Sequence, residues 1–403
     1  MSTDTLALNG GSPVRTSPFP AWPVFNQREE KLLLEVLRSG NWSILSGDKV
    51  RTFQERFASY QGARYAICVP NGTLALTLAL MTMGVGPGDE VIVPAYTFIA
   101  TVSAVLMSGA RPVFVDIDSN SYTLDPALIP AALSQKTKAI LPVHLAGRPT
   151  DMSAIMAIAR EHNLRVLEDA CQAWGAEWQG QRVGAIGDLG AFSFQASKNL
   201  TAGEGGAVVT NDLELYERCW SLHNVGRTRT GAWYHHELLG MNLRITEWQG
   251  AILLAQLERL DEHFPRREAN AQILSRALSG VSGIAPLPDD PRVTRHARHL
   301  LILRYDPAGF GGRSLDQFLP ALEAEGIAPL SRGYIPLHHS PAVRQSMQAM
   351  FGIDPAQISL PCTERAAQET FWLPQNLLLG EPRDMEDIVE AILKIQRAWG
   401  LRL

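Results

Sequence analysis

The sequence predicts an α/β protein in which a large domain with a mostly parallel sheet precedes a smaller α+β domain. From about residue 64 to residue 211, short apolar runs alternate with longer segments of helical pattern. Such alternation is typical of crossover units, which build parallel sheets with helices on both faces. Beyond Gly280, a connector rich in Pro, Gly and Asp leads into a second region of strand and helix patterns.

The large domain is predicted to have a seven-stranded sheet. Its strands are expected at residues 65–69, 90–95, 111–117, 138–146, 164–170, 190–195 and 205–211. Segments long enough to form helices lie between them, at residues 73–85, 98–110 and 152–163. The strand runs are almost continuously apolar, as a sheet covered on both faces requires.

The stretch 246–278 predicts a long amphipathic helix, because its apolar residues recur at three- and four-residue spacing. Pro265 should kink or divide this helix. We expect the large domain, with an N-terminal arm, to span residues 1–265 and the small domain to span 266–403. The small domain is predicted to contain a strand at 300–307 and helices at 314–327 and 384–400.

Composition argues against several classes of protein. The chain has 403 residues, with 36 Lys and Arg against 41 Asp and Glu, which gives a formal net charge of −5. Nucleic-acid and polybasic membrane binding need concentrated positive charge, so neither partner is expected. The four cysteines include no CxxC pair, which argues against a disulfide framework or a zinc cluster, and no metal site is predicted. The N-terminus lacks an apolar signal core, so we expect a cytoplasmic protein.

Lys198 lies between an apolar strand and a glycine-rich segment, in SFQASKNLTAGEGGAVVT at 193–210. This position favours a lysine that forms a Schiff base with a carbonyl cofactor, although a lone loop lysine is more often a surface residue. Asp169 ends the apolar run RVLEDA, and ligands of parallel sheets bind at the carboxyl ends of the strands. An acid there could keep the pyridine nitrogen of pyridoxal phosphate (PLP) protonated, or it could cap the next helix.

Two further segments predict cofactor contacts. In PNGTLAL at 70–76, Gly72 permits close backbone approach, Thr73 supplies a hydroxyl, and the helix N-terminus suits a phosphate. Ser193 could add another phosphate contact. PAYTFIAT at 94–101 places two aromatic residues after a strand, and one could lie against a cofactor ring unless both belong to the core.

These segments occur in one order together with PVHLAG, LEDACQAWGA, LHNVGR and GMNLRITEWQGAILLAQLERLD. In this order they resemble the DegT–StrS family of PLP-dependent aminotransferases, which have the fold-type I architecture and act on keto sugars and cyclitols. The resemblance extends from LALNGGSPVR at 6–15 to the terminal helix. It implies that Lys198 binds PLP covalently and then moves the substrate's alpha proton.

The resemblance also assigns other residues around the cofactor. Asp169 corresponds to the acid facing the pyridine nitrogen, and Gln172 to the residue near the ring hydroxyl. Phe98, rather than Tyr96, corresponds to the aromatic residue stacked on the ring. The phosphate-binding residues correspond to Gly72, Thr73, Ser193 and, from the neighbouring subunit, Asn242. That last contact implies a homodimer with shared active sites, to which Asn224 is a weaker candidate contributor.

Three further side chains are candidates for substrate contact. His144, in PVHLAG, could touch substrate or make a structural hydrogen bond. Tyr334 and His338, in RGYIPLHHSP, resemble a segment of the small domain that closes over substrate. Two departures from the family pattern are Cys171, where Ala is common, and Val225, where the loop usually has His.

The resemblance implies an aminotransferase of amino-sugar or aminocyclitol biosynthesis, serving antibiotic or polysaccharide production, with a ping-pong mechanism. L-glutamine or L-glutamate is the expected donor and a keto sugar or a scyllo-inosose-like keto cyclitol the acceptor. Lysine at position 198 favours transamination over the dehydrating branch of the family, which has His there. An alternative is a dehydratase and aromatase similar to 3-amino-5-hydroxybenzoate synthases. A non-enzymatic PLP-binding regulator is a further alternative, although no basic helix-turn-helix segment is visible.

Overall fold

The computed structural model describes residues 5–232 and 234–400. Its helices are α1 (Gln27–Ser39), α2 (Lys49–Tyr60), α3 (Gly72–Thr82), α4 (Ala100–Met107), α5 (Ile129–Ala132), α6 (Met152–Glu161), α7 (Leu213–His223), α8 (Glu247–Leu278), α9 (Leu315–Ala324), α10 (Pro341–Phe351), α11 (Pro361–Glu369) and α12 (Pro382–Ala398). Among the described residues, none of these helices is long and apolar enough to cross a membrane.

The strands form one large sheet and two smaller ones. They are β1 (Tyr65–Val69), β2 (Glu90–Pro94), β3 (Arg111–Val115), β4 (Thr137–Ile140), β5 (Arg165–Asp169), β6 (Glu177–Trp178), β7 (Gln181–Arg182), β8 (Leu189–Ser193), β9 (Gly206–Thr210), β10 (Ile284–Pro286), β11 (Val293–Arg295), β12 (Leu300–Tyr305), β13 (Ser331–Arg332) and β14 (Thr370–Pro374).

The large sheet has seven strands in the order β1-β9-β8-β5-β4-β2-β3. Strands β8, β5, β4, β2 and β3 are parallel, and β9 is antiparallel to both β1 and β8. Strand β1 therefore runs in the same direction as β8, although β9 lies between them. The predicted seven-stranded, mostly parallel sheet is confirmed.

Both faces of this sheet are buried, as its apolar strands predict. Val91 and Val93 face one hydrophobic core, and Ile92 between them faces the other, because successive strand residues point to opposite faces. Helices α1, α2 and the first half of α8 pack on the face to which Ile92 points. The other face is covered by α3, α4 and α7.

The C-terminal part of the chain has its own antiparallel sheet, in the order β10-β12-β14-β13. Helices α9 and α12 pack against it around a third hydrophobic core. The predicted strand at 300–307 and the predicted helices at 314–327 and 384–400 are all present, with ends that differ by at most three residues. A separate three-stranded sheet, β11-β6-β7, joins the two parts of the chain.

Two local predictions are wrong. Strand β4 ends at Ile140, six residues before the predicted end at 146, because Pro142 has no amide hydrogen for the ladder and Ala146 adopts a φ of 57°. Helix α8 continues through Pro265 without division. Pro265 is exposed, while Phe264 and Arg267 beside it are buried, so packing on both sides outweighs the cost of about 3 kcal/mol for an interior proline.

The predicted domain boundary at 265/266 consequently lies inside a continuous helix. The part of α8 up to Phe264 packs into a core of the large sheet, whereas Ala271, Leu274 and Leu278 pack into the C-terminal core. The change of core therefore occurs between residues 264 and 271.

Candidate active site

Six strands of the large sheet point their carboxyl ends toward one edge, and the candidate residues cluster there. Asp169 ends β5 and Ser193 ends β8. Gly72 follows β1, and Phe98 follows β2. Lys198 lies in the turn after β8, where its amide donates to the Gln195 carbonyl at 2.9 Å. Residues far apart in sequence thus meet at the edge where parallel sheets bind ligands.

Asp169 is buried, and both of its carboxylate oxygens have partners. Thr101 Oγ1 donates to Oδ2 at 2.8 Å, and the Cys171 amide donates to Oδ1 at 3.2 Å. Thr101 lies in the first turn of α4, three residues after Phe98, so one short segment supplies an aromatic side chain and the partner of the acid. These two donors fix the carboxylate and stabilise its negative charge.

The Lys198 amine lies in a setting that favours its neutral form. Burial lowers its pKa from the ordinary value of 10.5, and the nearby Cys171 and Asp169 act in the opposite direction. A neutral amine is the form that attacks a carbonyl or accepts a proton.

Asn199, next in the chain, anchors this turn. Its Nδ2 donates to the Ala297 carbonyl at 2.8 Å, and its Oδ1 lies 3.0 Å from His299 Nδ1. Burial, followed by repulsion from Lys198, lowers the pKa of His299 well below 6.5. The His299 ring therefore stays neutral beside the lysine and can donate from Nδ1 to Asn199.

The turn before α3 forms a close-packed cup. A Cβ atom at Gly72 would lie 2.8 Å from Ser193 Cβ and 2.9 Å from Cys171 Sγ, so only glycine fits. Asn71 caps the helix by accepting from the Leu74 amide at 2.9 Å. The Gly72 and Thr73 amides belong to the first turn, where an α-helix offers no partner of its own. These amides suit a phosphate group.

Gln172 links the sheet edge to the C-terminal part of the chain. Its Oε1 accepts from the Ala146 amide at 2.6 Å, and its Nε2 donates to the Tyr334 hydroxyl at 2.9 Å. The Tyr334 ring lies 6.4 Å from the Phe98 ring and 4.6 Å from the Trp372 ring, centroid to centroid. Phe98 is 55% exposed, which leaves a ring face accessible for stacking.

Two of the three predicted substrate residues, His144 and His338, are fully buried. His144 is fully buried, with Nε2 2.9 Å from Glu168 Oε2 and Nδ1 accepting from the Thr150 amide at 3.1 Å. Both nitrogens are occupied, so the geometry corrects the substrate assignment in favour of the structural alternative. His338 is also fully buried, beside Glu364, and it presents no surface to a substrate. Tyr334 alone of the three lies within the cluster.

The residues predicted to reach a neighbouring subunit lie in different settings. Asn242 is exposed, and its Oδ1 accepts a long hydrogen bond of 3.4 Å from the Arg244 amide. Asn224 is buried, and its Oδ1 accepts from Arg244 Nη1 at 2.6 Å. The cross-subunit roles of both residues stay predictions. Val225 has a φ of 56°, a conformation that strains a β-branched residue.

Sequence reasoning missed Thr101 and Asn199 as members of the site. A signal for each was present, because Thr101 follows Phe98 by one helical turn and Asn199 adjoins Lys198. Their roles depend on partners in β5 and near β12, which only the folded chain brings together.

A sequence model described as the DegT/DnrJ/EryC1/StrS aminotransferase family matches residues 23–393. The chain belongs to this family. A relative from Micromonospora echinospora, named L-glutamine:2-deoxy-scyllo-inosose aminotransferase, is 40% identical over 410 residues, which cover 97% of each chain.

Solved structures agree with this membership. A crystal structure of 3-amino-5-hydroxybenzoic acid synthase superposes with a TM-score of 0.87 and 36% identity, covering 94% of this chain and 99% of that chain. Spr1654 from Streptococcus pneumoniae, solved in a PLP form, has a TM-score of 0.83 and 27% identity, covering 96% of this chain and 100% of that chain.

The protein is a PLP-dependent aminotransferase of this family, and the described residues fit the cofactor. At Gly72 there is no room for a Cβ atom, and the first-turn amides of α3 would suit the cofactor phosphate. Asp169 would place a fixed negative charge near the ring nitrogen, and Lys198 would supply the amine for a covalent bond.

Proposed function

We propose that this aminotransferase moves an amino group from L-glutamine to the ketone of a cyclitol related to scyllo-inosose. The chemistry is supported by Lys198, a buried amine with a lowered pKa beside the fixed carboxylate of Asp169. The choice of substrates is supported by 40% identity, over almost the whole of both chains, to a relative named for this reaction.

Lys198 has two roles in the proposed reaction. It would hold the cofactor covalently and, once an incoming amine had displaced it, its free amine would move the proton of the reacting carbon. Bound PLP supplies the electron sink that transamination needs. Because burial lowers the pKa of the lysine amine, it favours the neutral form, which is the form that accepts a proton.

The other residues hold and orient the reacting groups. Asp169, fixed by Thr101 and the Cys171 amide, favours a positive charge on the ring nitrogen. Gln172 and Tyr334 form a hydrogen-bonded pair beside the ring of Phe98. We infer that donor and acceptor occupy this space in turn, which is a ping-pong scheme.

We also propose a homodimer with shared active sites. Asn242 is exposed, and among the described residues its side chain makes one long hydrogen bond, so it is available to a neighbouring subunit's phosphate group. A cytoplasmic location is supported by the four cysteines, all of which are free thiols, as is usual in a reducing compartment.

A second candidate is the elimination and aromatisation performed by a 3-amino-5-hydroxybenzoate synthase. The TM-score of 0.87 to that enzyme favours it, and the same lysine would serve. The two candidates differ in their products, because only one of them yields an aromatic ring.

The decisive experiment uses the purified PLP-loaded protein and follows its visible spectrum. L-glutamine should convert the yellow cofactor band to the pyridoxamine form, and 2-deoxy-scyllo-inosose or scyllo-inosose should restore it. Keto sugars serve as comparison acceptors. Restoration by keto sugars alone would overturn the cyclitol proposal, and an aromatic product would favour the second candidate. A band that no amino donor shifts would contradict transamination.

A further inference from the structure

A cluster of three metal-ligating side chains lies apart from the cofactor site. His338 and His339 end a short turn at Leu337–His339, and Glu364 lies in the first turn of α11. Glu364 Oε1 is 3.6 Å from His338 Nε2 and 3.7 Å from His339 Nε2. One ligand atom from each of the three side chains lies within 4.8 Å of the others.

The His338 side chain is fully buried, yet within the described part of the chain neither ring nitrogen has a hydrogen-bond partner. Buried His223 shares this property, but it does not belong to the three-residue cluster. The other buried histidines of the sheet edge differ, since His144 has partners at both nitrogens and His299 pairs with Asn199. A buried polar group without a partner is costly, and a ligand at this point would remove that cost.

We propose that His338, His339 and Glu364 bind a divalent transition-metal ion, for which Zn²⁺ is the best match. Two imidazoles and one carboxylate form a known three-ligand zinc set that leaves a fourth position for water. His339 and Glu364 are each 42% exposed, so solvent reaches that position. This site was not predicted from the sequence, which has no spaced Cys or His motif.

The ligand atoms lie close to the spacing that a zinc ion needs. With zinc bonds of about 2.0–2.2 Å in a tetrahedral arrangement, ligand atoms lie roughly 3.3 Å apart. The two distances to Glu364 Oε1, 3.6 and 3.7 Å, exceed this spacing by a few tenths of an ångström, and all three ligand atoms lie within 4.8 Å of one another. The half-exposed side chains of His339 and Glu364 can move to close the remaining gap.

The site would join two segments that border the active site. His338 follows Tyr334 by four residues, and the Leu337 amide donates to the Ala95 carbonyl at 2.9 Å. Helix α11 is held by Asp116, which accepts from the Cys362 and Thr363 amides, each at 2.9 Å. A bound ion would therefore restrain the segment that carries Tyr334.

The test measures Zn²⁺ binding to the PLP-loaded protein by equilibrium dialysis after treatment with a chelator. His339→Leu and Glu364→Gln remove a ligand at half-exposed positions, where folding should not suffer. His162→Leu removes an exposed histidine elsewhere, on the loop after α6, and is the matched control. Melting curves with and without Zn²⁺ give a second readout.

We expect the wild type to bind one equivalent of Zn²⁺ per chain. The affinity for Zn²⁺ should fall roughly a hundredfold in each ligand variant and should be unchanged in the control. Zn²⁺ should also raise the melting temperature of the wild type and the control by a few degrees, but not that of the ligand variants. No saturable binding, or a change of less than tenfold in either ligand variant, would overturn the proposal.

Discussion

The Nε2 of Gln172 donates a hydrogen bond of 2.9 Å to the hydroxyl of Tyr334, across 162 residues of sequence. Gln172 follows β5 in the large sheet, whereas Tyr334 follows β13 in the C-terminal sheet. The contact therefore joins the two sheets at the candidate active site. Burial raises the pKa of Tyr334, so the hydroxyl stays protonated at neutral pH.

Tyr334→Phe removes this contact and leaves the Gln172 amide without its partner. We expect the KM for the keto acceptor to rise about tenfold and stability to fall by about 1 kcal/mol. Steady-state kinetics and denaturant unfolding measure the two effects. Tyr60→Phe is the control, because its hydroxyl bonds Asp261 at 2.9 Å outside the active site. Equal kinetic changes in both variants would contradict a role for Tyr334.

Gly72→Ala should weaken PLP binding roughly a hundredfold, because the new methyl group would lie within 3.0 Å of Ser193 and Cys171. Titration of the apoenzyme with PLP, followed by absorbance, measures the affinity. Gly280→Ala is the control, since no atom lies within 4 Å of a Cβ there. The double variant Gly72→Ala/Cys171→Ala should recover part of the lost PLP affinity, because the smaller residue at 171 makes room for the methyl group. A Gly72→Ala variant that binds PLP as tightly as the wild type would contradict the close packing of the cup.

Lys198→Ala should bind PLP without turnover, because the cup and Asp169 remain while the amine is lost. The turnover rate of the variant should be at least a thousandfold lower than that of the wild type.

In the wild type, the lowered pKa of Lys198 implies that the rate of covalent PLP uptake rises with pH and levels off below pH 10.5. Stopped-flow absorbance at several pH values tests this, and a rate still rising at pH 10.5 would exclude it.

His223 should make the protein sensitive to acid. Burial, followed by repulsion from Arg244, lowers its pKa from 6.5 to about 4. The unfolded chain binds more protons than the folded one in this range, so stability is lost as pH falls from 6.5 toward 4. The loss amounts to about 3 kcal/mol.

His223→Leu should make the free energy of unfolding less dependent on pH between pH 4 and 7, as measured by urea unfolding. His162→Leu, at an exposed position, should keep it. An unchanged slope in His223→Leu would show that other groups cause the acid sensitivity.

Sequence patterns predicted the parts of this fold that depend on local periodicity. The apolar runs located every strand of the large sheet, and the rule that ligands bind at the carboxyl ends of parallel strands located Asp169 and Lys198. The family resemblance added Gln172, Phe98 and Tyr334, which the folded chain brings into one cluster.

The failures came from tertiary packing. Nothing in PVHLAG distinguishes a histidine that faces substrate from one that pairs with Glu168, because the partner lies on the neighbouring strand. An interior proline normally ends or kinks a helix, yet α8 continues through Pro265 because its two halves pack into different cores. The cluster at His338 likewise depends on α11, which follows it by more than twenty residues.

The position of β9 between β1 and β8 has a consequence for folding. As an edge strand, β1 pairs with β9 alone, so residues 65–69 cannot enter the sheet until residues 206–210 are in place. The turn at Gly72 follows β1, so we expect the phosphate cup to assemble late. A refolding chain should therefore bind PLP when the large sheet is complete, not when the sheet begins to form.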